Sequence, residues 1–124
     1  DTDTDTDADL AINGNYLDAW GSTHTVTNVV WTWAFAPYPA SNYDITEYDN
    51  DAMYVIAENG AGNPYDAGMY SRLDWYIDGE ADTWYCQTTY TALSAAEALA
   101  TPRSDDSDVA NSGCGNFGWT NLTP

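Results

Sequence analysis

Lysine is absent from this chain of 124 residues, and arginine occurs only as Arg72 and Arg103. Against them stand 20 carboxylates, for a formal net charge of −18. Without a basic surface the chain has nothing to grip nucleic-acid phosphates or to dock on anionic lipid. No run of about 18 apolar residues occurs, so no segment reads as a membrane-inserted helix. No apolar leader opens the sequence, which fits a cytosolic chain or a processed, exported one. Catalytic signatures are missing too: there is no G-x-S-x-G, no phosphate-cradling glycine loop and no H-E-x-x-H. The single histidine, His24, shares a strand face with Val26, and no motif supplies it a partner for acid–base work. So many carboxylates are present that pairing two for glycoside hydrolysis carries no signal. The expectation is a protein that is not an enzyme.

Cysteine is scarce but even in number. Cys86 and Cys114 lie far apart and lack metal-ligand spacing. They predict one disulfide, contributing about 3.5 kcal/mol in the chain-entropy model. A disulfide in turn points to a secreted or cell-surface, extracellular location. Halophilic adaptation is a second explanation for the missing lysine.

What is present is material for a core. Hydrophobic residues make up 44% and aromatic residues 15% of the chain, which suits one domain. From Leu10 onward the pattern has period two. Val29, Trp31, Trp33 and Phe35 alternate with smaller residues, and Ser71, Leu73, Trp75 and Ile77 alternate with Arg72, Asp74, Tyr76 and Asp78. The second run reads as a half-buried strand. Trp84, Cys86, Thr88 and Tyr90 form a third, joined to it by a hairpin signal at Asp78-Gly79-Glu80-Ala81. One helix is predicted near residues 94–100, opened by the capping box Ser94-Ala95-Ala96-Glu97 and stopped by Pro102. Many short strands with frequent turns imply a sandwich or a small barrel. The expected architecture is an antiparallel β-sandwich, jelly-roll or Ig-like, over residues 10–124.

Residues 1–9 form a separate regime, a repeat of Asp and Thr. It reads as a solvated linker or as an assembly arm made of Asp1, Thr2, Asp3, Thr4, Asp5, Thr6 and Asp7. Leu10 and Ile12 would be the arm's first apolar anchors. Ten extended residues reach about 33 Å, and a domain of this size is roughly 35 Å across. Such an arm could cross a neighbouring subunit and add to its sheet, giving a filament.

Two acid clusters are candidate cation sites. Asp44, Glu47, Asp49 and Asp51 surround a turn, and Asp105, Asp106 and Asp108 follow the helix. Calcium takes hard oxygens of this kind, although neither cluster has the EF-hand pattern. Among the aromatics, Trp31, Trp33, Trp75 and Trp84 are expected to face inward. Trp20 and Trp119 lie near turns and are the candidates for stacking on a sugar ring.

The Asp/Thr repeat, followed by an acidic Trp/Tyr-rich body, resembles the exported domains of predicted bacterial surface lipoproteins. Tyr48-Asp49-Asn50, Tyr54-Val55-Ile56, Tyr85-Cys86-Gln87 and the stretch from Gly113 to Thr120 carry the likeness. It implies export but no particular activity. The lipid-bearing cysteine of such proteins is not in this sequence and would lie upstream or not exist. Two functions are therefore expected. One is an extracellular structural protein that assembles with copies of itself through its arm into a filament or surface layer. The other is a calcium-assisted, lectin-like module that binds glycans. The first accounts for the Asp/Thr arm, which the second leaves without a role.

Overall fold

The computed structural model describes residues 8–124. Seven strands follow one another through short connections: β1 (Gly14–Asp18), β2 (Thr23–Val26), β3 (Val30–Ala34), β4 (Ser41–Asp49), β5 (Tyr54–Asn59), β6 (Tyr70–Ile77) and β7 (Thr83–Ala92). The helix α1 (Ala95–Ala100) and a small hairpin, β8 (Gly113–Cys114) with β9 (Phe117–Gly118), precede the last strand, β10 (Thr120–Thr123). Each of β1 to β6 pairs antiparallel with its successor, and β10 pairs with both β7 and β1. The sheet thus closes into an eight-stranded barrel. This overturns the expected sandwich. Alternation and turn spacing reveal strands, but they do not say which strand meets which. The deciding contact is Leu17 opposite Thr123 and Asp18 opposite Leu122, which joins the first strand to the last.

Eight strands leave an interior that side chains can fill. Val26, Trp31, Val55, Leu73, Trp75 and Leu122 fill it here. Leu10 and Ile12 belong to the same core, each 1% exposed, and they stop one end of the barrel. The Leu10 amide donates to Asn28 Oδ1 at 2.9 Å and the Ala11 amide to Asn50 Oδ1 at 2.8 Å, so loops at that end hold the plug. The repeat residues Asp1 to Asp7 lie outside the described residues.

β6 is not the half-buried strand that its alternation suggests. Ser71 to Trp75 are buried on both faces. The outer face is covered by α1 and the chain that follows it. Ile56, Ala92 and Ala98 pack under the helix, and Cys86, Val109 and Trp119 pack under the segment after it. Trp84, expected inside, belongs to this outer layer. At the helix start Ser94 Oγ accepts from the Glu97 amide at 3.1 Å, while Glu97 reaches back to the Leu93 amide.

The pinning of this strap explains where the two arginines went. Asp74 is fully buried on the outer wall. Arg72 Nε donates to its Oδ1 at 2.9 Å, and Arg103 Nη1 lies 3.6 Å from the same oxygen. Ser104 N and Thr88 Oγ1 donate to its Oδ2. Arg72 also caps the α1 carbonyls of Leu99 and Thr101, and Arg103 holds the carbonyls of Met53 and Trp75. Both positive side chains are therefore spent on docking the strap.

Cys86 and Cys114 form the expected disulfide, which ties the same strap to β7 across 28 positions. Reduction is expected to lower stability by about 3.5 kcal/mol. Urea unfolding with and without reductant measures this, and coincident curves would contradict it. Close to the disulfide, Gly113 has a φ of +102, and a Cβ there would overlap the Asp105 carbonyl oxygen. Glycine at this position is a requirement of the strap's path.

Candidate functional site: the open mouth of the barrel

Leu10 and Ile12 close one end of the barrel; the opposite end is open. Three cavities adjoin there. One of about 370 Å³ enters the barrel and is lined by Trp33, Ser41, Tyr43, Tyr65, Asp66 and Gln87, among others. A second of about 450 Å³ shares Trp33, Ser41 and Tyr65 with it and adds Phe35 and Tyr38. A third of about 660 Å³ shares Gln87 and runs outward past Trp20, Tyr85 and Asn121. These sizes suit bound small molecules.

Local hydrogen bonds fix the walls. Asn63 clasps the backbone of Asn42, accepting from its amide at 2.7 Å and donating to its carbonyl at 2.8 Å. That clasp holds the loop bearing Tyr65 against the start of β4. Asn59 is buried, and its amide group donates to the carbonyls of Asp66 and Tyr90, each at 2.9 Å. Its oxygen accepts from Ser71, whose hydroxyl in turn accepts from Gln87 Nε2 at 3.1 Å. Asp66 sits at φ 53, a left-handed conformation that Asp tolerates better than most residues. Phe35 and Tyr38 stack at 6.0 Å with ring planes 9° apart. On the cavity floor, burial pushes the Tyr43 phenol above its ordinary pKa, hydrogen bonds from Gln87 and Ser41 oppose this, and the charge of Asp66 adds to it. Tyr43 therefore keeps its phenolic proton and can act as a hydrogen-bond donor.

Behind the mouth sits the single histidine. Trp31 Nε1 donates to His24 Nδ1 at 3.0 Å, so the imidazole proton lies on Nε2, which donates to Asp18 Oδ2 at 2.9 Å. Asp18 Oδ1 accepts from the amides of Trp20 and Ser22, each at 2.9 Å, and so shapes the turn that carries Trp20. His24 also backs the Trp33 ring, with centroids 6.5 Å apart and planes 18° from parallel. The histidine is a packed strand residue that positions two rim tryptophans.

Burial holds His24 below the ordinary imidazole pKa, against the hydrogen bond and charge of Asp18, which raise it. A proton on Nδ1 would face the Trp31 N–H donor. Because the folded pKa is lower than the unfolded one, the contribution is complete above about pH 6.5 and is lost as pH falls through the folded value. The urea midpoint is expected to fall between about pH 7 and about pH 5. An unchanged midpoint over that range would contradict the assignment.

The residues singled out from sequence divide as follows. Trp20 is 77% exposed on the rim, whereas Trp119 is 4% exposed and donates from its indole to the Asp105 carbonyl, so it offers no face to a sugar. Arg103 lies over its ring at 5.3 Å. Asp44, Glu47, Asp49 and Asp51 do not converge. Glu47 accepts from the Tyr54 hydroxyl, and Asp49 caps the amides of Asp51 and Ala52. Asp105, Asp106 and Asp108 are likewise engaged separately, by the Ser107 amide, Arg103 and Asn111. Among the described residues, the carboxylates whose oxygens gather within 4.8 Å are Asp78, Glu80 and Asp82, in the β6–β7 turn, and they could hold a metal ion. Asp78 already accepts there from the amides of Glu80 and Asp82 and from the Trp84 indole. These hydrogen bonds, led by that of Trp84, lower its pKa.

Sequence reasoning missed Trp33, Tyr65, Asp66 and Gln87 as one site. Trp33 looked like core because it shares a face with Trp31, but it stands at the strand's end. The clustered Asn59, Asn63 and Pro64 beside Tyr65 were the available signal of a structured loop. No protein-family model matches the chain, and neither a curated protein nor a solved structure does.

Proposed function

We propose that this domain is an extracellular, non-catalytic module that binds carbohydrate at the open mouth of its barrel. The observation that carries this is the mouth itself: Trp33, Tyr43 and Tyr65 line it together with Ser41, Asp66 and Gln87. Aromatic faces pack on the C–H surface of a sugar ring, while carboxylate, amide and hydroxyl groups bond its hydroxyls. The disulfide is compatible with an oxidising, extracellular setting. Among the described residues no helix is long and apolar enough to cross a membrane. The alternative is self-assembly through the Asp/Thr arm; its expected anchors Leu10 and Ile12 pack in the barrel core, and residues 1–7 lie outside the described residues.

Calcium is the accessory cation we assign to Asp78, Glu80 and Asp82. Millimolar calcium should raise the melting temperature relative to chelator by mass action. Identical melting curves would remove calcium from the account.

A glycan array probed with the intact domain tests the central reading. Binding to a defined glycan class is expected, and binding should be lost in a Tyr65→Ala variant. An array without a binder would overturn it.

A further inference from the structure

The three cavities do not form one round pocket. The cavity of about 370 Å³ is the middle one: it shares Trp33, Ser41 and Tyr65 with the cavity of about 450 Å³ and Gln87 with that of about 660 Å³. The topology explains how the last one escapes the barrel. β10 pairs with β7 only from Thr83 to Tyr85, while β7 runs on to Ala92. Beyond Tyr85, β7 has no partner strand on that side among the described residues. The barrel wall is notched there, and Gln87 stands in the notch, facing the cavity on either side. Trp20 lines the outer lobe, and Tyr65 lines the two inner ones.

Charge narrows the ligand further. Asp66 lines the inner cavity, and both arginines of the chain are engaged at Asp74 on the outer wall. No basic side chain is left to meet an acidic sugar, and the net charge of −18 repels one.

We infer that the mouth binds an extended oligosaccharide without anionic groups, laid through the notch with Tyr65 under one part of the chain, Gln87 at the middle and Trp20 under the other part. This rests on the carbohydrate reading above and adds the length and charge of the ligand. A single sugar would fill only one lobe. A chain of several rings would engage both platforms.

Calorimetry on the intact domain tests this with neutral oligosaccharides from disaccharide to hexasaccharide, uronic-acid oligosaccharides of equal length, and an extended lysine-rich peptide. Affinity for the neutral series should rise with length, and the uronic-acid series should not bind. Trp20→Ala should weaken the hexasaccharide by about tenfold and the disaccharide by less, whereas Tyr65→Ala should weaken both. Both side chains are largely exposed, so the variants should fold, which circular dichroism checks. Equal affinity for all lengths, a silent Trp20→Ala, or binding of uronic acids would overturn the extended, anion-free ligand while leaving carbohydrate binding in place. Failure of every sugar would overturn both. So would binding of the peptide alone, which would make the β7 edge a site of strand addition.

Discussion

Replacing Asp74 with alanine is expected to destabilise the protein by about 3–5 kcal/mol, the cost of breaking a buried ion pair from one side. Asp74 is fully buried between Arg72 and Arg103, and it also accepts from Ser104 and Thr88. Its removal leaves the buried Arg72 without a carboxylate partner and Arg103 with Asp106 alone. It also releases the anchor of the strap, because Ser104 lies on that segment. Asp106 gives the contrast. It pairs with Arg103 at 3.0 Å but is partly exposed, so Asp106→Ala should cost about 1 kcal/mol or less. Urea unfolding of the two variants decides the matter. Equal losses would mean that Asp74 is not the hub described.

Trp33→Ala and Tyr65→Ala are expected to weaken glycan binding by about 2 kcal/mol each, roughly 30-fold, as central aromatic contacts do. Each lines both inner cavities. The two differ in what else they do. Tyr65 is held by a loop and packs little, so its removal should leave stability unchanged within about 0.5 kcal/mol. Trp33 backs onto His24, so its removal should also loosen the Asp18–His24–Trp31 chain. Calorimetry for affinity and urea unfolding for stability separate these effects. Full binding in both variants would place the ligand elsewhere.

Local chemistry was legible in the sequence, while closure was not. The α1 cap at Ser94, the β6–β7 hairpin and the Cys86–Cys114 disulfide all followed from neighbouring residues or from counting. The barrel depends on β1 meeting β10, a contact between the two ends of the domain that no local pattern encodes. β6 misled for a related reason. Arg72 and Asp74 looked like a solvated face, but the strap after α1 covers them, and charges so buried survive only because they pair. Trp119 near a glycine-rich turn looked exposed, yet its indole finds the Asp105 carbonyl inside that strap. The mouth was hidden because its residues come from β3, β4, the β5–β6 loop and β7, and only the closed barrel brings them together.

The most direct test of the account uses the indole N–H resonances of the six tryptophans in a proton–nitrogen spectrum, followed as a neutral oligosaccharide that binds on the array is added. Trp33 and Trp20 line the mouth, whereas Trp31, Trp75 and Trp119 are buried in the core or under the strap. The account predicts large shifts for Trp33 and Trp20, and little change for Trp75, which lies in the core away from the cavities. A titration that leaves Trp33 and Trp20 unmoved would contradict binding at the mouth.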